Sequence, residues 1–259
     1  MSELLDLKKP LIGMVHLLPL PGSYLHGGEG IETVLERALS DLSALEEGGA
    51  DAALVENFGD MPFAKRASKA TVAAMAVVVR ELVRTSHIPI GVNVLRSDGE
   101  AALAIAASAG AGFIRVNVFS GVAFTDQGII EGEAHRLLSL RKTLGAKVAI
   151  LADVHVKHAH HFQSLELAAR DTARNLPDAL IVTGVGTGRT ARPEDLAAVK
   201  AACDLPVLVG SGVTPENVAD FQAADGFIVG TALKQGGDVR GPVDPARVRE
   251  LVTAIARLR

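Results

Sequence analysis

PVLVGSGVTPENVADFQAADGFIVGTALK (206–234) contains two phrases of one kind, an apolar run closing on Gly-Ser-Gly and another closing on Gly-Thr. A helix-like stretch, TPENVADFQAA, separates them. A β-rich run that stops at small residues and hands over to a helix is one βα unit. The same pattern extends to both ends of the chain. Strands are predicted at 11–16, 52–56, 90–94, 112–118, 147–155, 179–183, 207–210 and 226–230. Helical patterns follow them at 32–47, 69–84, 99–109, 131–144, 164–174, 193–202, 215–223 and 244–258. GGAD (48–51), GAGF (110–113) and AADG (223–226) read as helix ends turning into strands, with Gly as a left-handed cap. Eight alternating units without a linker predict one α/β domain over 1–259, a (β/α)8 TIM barrel. The alternative, a doubly wound open sheet, calls for an early dinucleotide-type Gly spacing that HLLPLPGSYLHGGEG (16–30) lacks.

Composition narrows the function. Hydrophobic residues make up 48% of the 259 and charged residues 22%, a globular balance. Aromatic residues are 3%, Trp is absent and the net charge is −4, which argues against a nucleic-acid partner. The single cysteine, Cys203, cannot form an internal disulfide. Glu3 and Asp6 stand where an export signal needs basic residues, so a cytoplasmic protein is expected. The apolar stretches 70–79 and 101–114 fall short of the ~20 residues a transmembrane segment needs. TVAAMAVVVRELV (71–83) is apolar on nearly all sides, and an oligomer contact is expected there.

Alternation along each strand sorts the polar residues. In KVAILADVHVK, the residues Asp153, His155 and Lys157 share one parity, opposite to the apolar face. Arg115, Asn117 and Asn93 point inward by the same rule, and His16 ends the first strand. Glu56 and Asn57 end the second, where parity leaves open which faces in. A buried Arg115 must pair, and Glu56 or Asp153 is available. A structural barrel would fill these places with Val, Ile and Leu, so their convergence predicts an active site. The four histidines of HVKHAHHF (155–162) match no local zinc spacing, and His158, His160 and His161 are expected in a solvated loop. No cofactor is required by any motif; a divalent ion on His16, Asp153 and His155 is one reading. Lys157 could form a Schiff base if desolvated, but at a strand end it is expected to meet solvent or an anionic substrate.

The small residues that close the last strands point to a phosphate. Loops after the seventh and eighth strands of such barrels commonly hold one, and glycine lets the backbone approach an anion closely. Gly210, Ser211, Gly212, Gly230 and Thr231 supply those turns. TGVGTGRTARPEDL (183–196) repeats the logic after the sixth strand through Gly186 and Gly188, with Arg189 as a further charge.

Six phrases carry a family resemblance: PLIGMVHLLPLPGS (10–23), GADAALVENFGDMPF (49–63), GVNVLRSD (91–98), FIRVNVFSG (113–121), ADVHVKHA (152–159) and VLVGSGVTPENV with DGFIVGTALK. The chain resembles the BtpA family, which includes SgcQ-like proteins. The resemblance implies a barrel and, for a cyanobacterial member, a role in photosystem I biogenesis; nucleotide hydrolysis and sugar metabolism have also been attached to SgcQ-like members. It supplies no catalytic residues. The last strands are also similar to those of phosphate-binding barrels such as the tryptophan synthase α subunit and thiamine phosphate synthase.

The combined expectation is an enzyme acting on a small phosphorylated metabolite, a sugar phosphate, by isomerisation, epimerisation or carbon–carbon lysis. Asp153 or Glu56 would be the base and His155 the acid or proton shuttle. Asn93, Asn117 and Arg115 would steady an enediolate oxygen, and His16 would complete the mouth. The alternatives are a non-enzymatic assembly factor and a metal-assisted phosphate-ester or nucleotide hydrolase.

Overall fold

The computed structural model describes residues 3–184 and 186–259. After a short helix α1 (Glu3–Asp6), the chain runs β1 (Leu11–His16), α2 (Ile31–Gly48), β2 (Ala52–Glu56), α3 (Lys69–Thr85), β3 (Ile90–Asn93), α4 (Gly99–Ala109) and β4 (Phe113–Val116). It continues β5 (Val122–Thr125), β6 (Gly128–Glu131), α5 (Ala134–Thr143), β7 (Ala149–Val154), β8 (Ala159–His160), α6 (Leu165–Arg174) and β9 (Ala179–Val182). The last elements are α7 (Pro193–Ala202), β10 (Val207–Val209), β11 (Gly226–Val229) and α8 (Pro245–Ala256). β1, β2, β3, β4, β7, β9, β10 and β11 pair in parallel, and β11 closes on β1. This is the (β/α)8 barrel that the alternation predicts.

Local chemistry sets the helix ends. Ser68, Asp98, Ser164 and Asp244 accept backbone N–H bonds at the starts of α3, α4, α6 and α8. Gly49 and Gly110, at φ 84° and 86°, close α2 and α4 in the left-handed conformation. Gly226 of AADG does not: it lies inside β11, and its turn is made without it.

The core has two concentric parts. Ile12, Met14, Leu54, Phe113, Leu151, Ile181, Leu208 and Ile228 fill the barrel, and Leu4 of α1 belongs to the same cluster. The alternate residues, among them Val15, Val55, Val92, Ile114, Ile150 and Val209, face the helices. On α3, Met75, Val78, Val79 and Leu82 pack inward, which accounts for much of its apolar character, while Val77 remains exposed.

Two expectations fail locally. Residues 215–223 form no α-helix but a turn and a 3-10 segment, Val218–Phe221. Asn217 is the cause: its side chain accepts from the Thr214 amide (2.8 Å) and donates to the Gly212 carbonyl (2.9 Å), an alternative to helical bonding. The expected loop after the fourth barrel strand folds into the β5–β6 hairpin, which β8 extends to a three-stranded antiparallel sheet. Val118, Ala123, Ile130 and Val156 form a small core of their own at this sheet. Glu131 pairs with Val122 in the hairpin, so α5 begins at Ala134 rather than at 131.

Candidate active site

Above the apolar filling the inward positions turn polar. His16, Glu56 and Asn93 lie side by side in register across β1, β2 and β3. That settles the parity of the second strand. Glu56 enters the mouth, and Asn57 instead receives the Leu95 amide (2.7 Å) and donates to Asp60 (3.0 Å).

Arg115 takes Asp153 as its partner. Its Nε and Nη2 donate to the two carboxylate oxygens at 2.9 Å each, and both side chains are almost completely buried. Asn117 donates to the same carboxylate (3.1 Å), and Asn93 donates to Asn117 Oδ1 (3.1 Å). Asp153 thus receives three hydrogen bonds, two of them charge-assisted.

Glu56 is in a different condition. It is buried, no hydrogen bond reaches its carboxyl among the described residues, and its nearest basic atom is His16 Nε2 at 3.8 Å. Burial lifts its pKa above the usual carboxylate range, with Arg115 and Lys157 opposing the rise. His16 stacks on Phe58 with ring centres 4.5 Å apart, and its Nδ1 lies 3.2 Å from the Val239 carbonyl. Burial, with Lys234 nearby, lowers its pKa to about 3. The neutral ring donates from Nδ1 to that carbonyl and leaves the Nε2 lone pair toward Glu56.

These groups face a cavity of about 150 Å³. His16, Glu56, Arg115 and Lys157 line it together with Gly188, Gly210, Ser211, Gly212, Gly230 and Thr231. Gly212 is at φ 68°, and a Cβ there would meet the Thr190 Cα at 2.3 Å, so only glycine fits. Among the described residues no protein acceptor takes the amides of Gly212, Val213 or Thr231. The Ser211 hydroxyl accepts from the Gly184 amide (2.6 Å), which leaves its own hydrogen to donate.

Four expected placements change. His155 does not point into the mouth: its φ of 53° breaks the extended alternation. Its ring stacks on His161, with centres 4.4 Å apart. It lines a neighbouring cavity of about 220 Å³ with Phe162, Gln163 and Thr172, where Asn117 and Asp153 form the side toward the barrel. His16, Asp153 and His155 therefore do not assemble, and among the described residues no three His, Cys, Asp or Glu side chains form a metal site. Gly186 and Arg189 do not line the mouth cavity; Gly186 sits against His158, whose Nε2 accepts from the Thr187 amide (3.1 Å). Lys157, which the same parity turned inward, does line the mouth cavity, two residues past the break. Arg96, which strand parity does not reach, is also buried and donates to the Lys157 carbonyl (2.5 Å). The available signal for Arg96 was a charge directly behind an apolar β run.

No helix among the described residues is long and apolar enough to cross a membrane. The solved structure of 3-hexulose-6-phosphate synthase from Salmonella typhimurium superposes with a TM-score of 0.63 at 14% identity, covering 96% of this chain and 100% of that one. Thiamine phosphate pyrophosphorylase from Pyrococcus furiosus gives 0.60 at 16% identity, covering 96% of both. At such identities the likeness is one of fold. In sequence, the photosystem I biogenesis protein BtpA of a Synechocystis species is 48% identical over 253 residues, 95% of this chain and 88% of that protein. The model of the BtpA family matches residues 7–257, nearly the whole barrel with its polar mouth, and the chain belongs to that family.

Proposed function

We propose that the chain is an enzyme acting on a small phosphorylated metabolite, a sugar phosphate, with the phosphate held by the turns after β10 and β11 and proton transfer carried by Glu56. The observation that carries this reading is the meeting of two unlike sets of groups in one small cavity: glycine turns with uncommitted amides, and ionisable side chains. The likeness in fold to barrels named for phosphorylated compounds supports it.

Asp153 is committed to Arg115, which leaves Glu56 as the base. A carboxyl whose pKa is raised by burial is suited to take a proton from carbon and return it near neutral pH. Arg115 and Lys157 would stabilise the oxygen on which negative charge develops. Isomerisation, epimerisation and aldol-type lysis all pass through such an enediolate. Calorimetric titration with a panel of sugar phosphates and their unphosphorylated counterparts tests the reading. Binding should require the phosphate, and solvent deuterium should enter the bound compound in the native protein but not in Glu56→Gln. Equal affinity for both members of each pair would end the proposal.

A second reading, an assembly factor, is favoured by the 48% identity to a photosystem I biogenesis protein. It expects co-purification of membrane complexes with this chain, and it expects Glu56→Gln to be without effect on that association.

A further inference from the structure

Lys157 stands out among the groups of the mouth. It is half-buried, lines the cavity and makes no hydrogen bond or ion pair through its ammonium group among the described residues. The other buried cations are tied: Arg115 to Asp153, Lys234 to Asp41 (2.9 Å), and Arg96 to the Lys157 carbonyl. An unpaired lysine that lines one cavity with the glycine turns, with the Arg115 and Arg96 guanidiniums near enough to act on its charge, is placed to act on a ligand rather than to support the fold.

We infer that Lys157 Nζ is a nucleophile that forms a Schiff base with a phosphorylated aldehyde or ketone bound in the mouth. This rests on the reading of the cavity as a phosphate site and narrows the substrate to a phosphorylated carbonyl compound. The neutral amine attacks the carbonyl carbon, a C–N bond forms and the oxygen takes a proton to give a carbinolamine. Glu56 in its protonated form gives that oxygen a second proton, water leaves and the iminium remains, with no oxidant or reductant needed. The iminium withdraws electrons from the adjacent carbon, from which Glu56 removes a proton or at which a carbon–carbon bond breaks. Burial in the first place, and Arg115 in the second, lower the lysine pKa, which raises the share of neutral amine. Glu56 and Asp153 oppose that shift from the same face.

The test is reductive trapping on the native full chain. The protein is incubated at pH 7.5 with dihydroxyacetone phosphate, glyceraldehyde 3-phosphate or ribose 5-phosphate and sodium cyanoborohydride, then mapped by peptide mass spectrometry. The expected result is one adduct at Lys157, formed at least tenfold faster than on any other lysine. It should be suppressed by inorganic phosphate and absent with dihydroxyacetone or glyceraldehyde. Lysine labelling spread over the surface, or none at Lys157 with any phosphorylated carbonyl, overturns the inference. Titration with inorganic phosphate alone separates the two failures. If phosphate binds and Lys157 is not trapped, only the nucleophile is wrong; if phosphate does not bind, the reading of the cavity falls with it.

Discussion

Replacing Arg115 by Met tests the arrangement on which the choice of base depends. The substitution removes two charge-assisted bonds from Asp153 and leaves that carboxylate buried, with only the Asn117 amide as partner. Breaking a buried ion pair from one side costs about 3–5 kcal/mol, because the remaining charge has lost its compensation. For a chain of this size, at about 2 °C per kcal/mol, that is a fall in melting temperature of roughly 6–10 °C. Asp153→Leu should cost a similar amount, since it strands the guanidinium. The double variant Arg115→Met with Asp153→Leu buries neither charge of the pair and should lose less than either single one, a coupling of about 3 kcal/mol or more. The chain has no Trp, so far-UV circular dichroism during urea unfolding at pH 7 is the suitable assay. The midpoint should shift while the slope stays constant. Additive single effects, or a single variant within about 1 kcal/mol of the native protein, would refute the argument. Asp153 would then be free to act as base, and the assignment of Glu56 would lose its ground.

Three further outcomes follow from the mouth. Glu56 holds its proton more tightly in the folded chain than in the unfolded one, so its contribution favours the fold in acid and turns against it as pH rises past the ordinary carboxylate range through the raised folded value. Glu56→Gln should therefore melt higher than the native protein at pH 7.5 and level with it at pH 4, while losing about 10²-fold or more of any proton-transfer activity. His16 behaves in the opposite sense: its folded pKa of about 3 lies below the unfolded 6.5, so stability drops as pH falls from 6.5 toward 3. Over the whole window that loss is on the order of 5 kcal/mol. His16→Gln should flatten this part of a urea-midpoint-against-pH curve, and an unchanged slope would contradict the burial. Gly212→Ala puts a methyl group onto the Thr190 backbone at a positive φ, at a cost of about 1–3 kcal/mol. It should weaken binding of inorganic phosphate at least tenfold by calorimetry, and unaltered binding would remove this turn from the phosphate site.

The barrel was legible because each βα unit carries its own signals: an apolar β run, a capping residue and a helical period. Ala52–Glu56, Gly99–Ala109 and Pro193–Ala202 are bounded as their residues suggest, the last by a proline at its first turn. What escaped were elements whose stability is not local. The β5–β6 hairpin has four residues in each strand and a turn, Asp126-Gln127, that reads as plain loop. It is held by β8, 28 residues beyond β6, and by packing against Val118 and Val156. Asn217, likewise, removes a helix through side-chain bonds that composition alone does not announce.

The site was legible as far as the period-two rule holds. The rule placed Asn93, Arg115, Asn117 and Asp153 inward and failed at His155, because alternation presumes an extended backbone and this residue has left it. One left-handed residue puts the His155 imidazole in the neighbouring cavity, whereas Lys157, which the same parity placed inward, lines the mouth. Nor could parity choose between Glu56 and Asp153 for Arg115; the bidentate geometry does. Once Asp153 is spent, the mouth holds Lys157 as a cation without a carboxylate within ion-pairing distance, against Glu56, whose own burial weakens its charge; Arg96, bonded to the Lys157 carbonyl, is a further unpaired cation close by. The chain as a whole is negative, yet around the mouth Arg96, Arg115 and Lys157 outnumber Glu56 and Asp153. A buried surplus of positive charge is costly unless an anion offsets it, and an anion large enough to reach both the glycine turns and the lysine is what a phosphorylated substrate would supply.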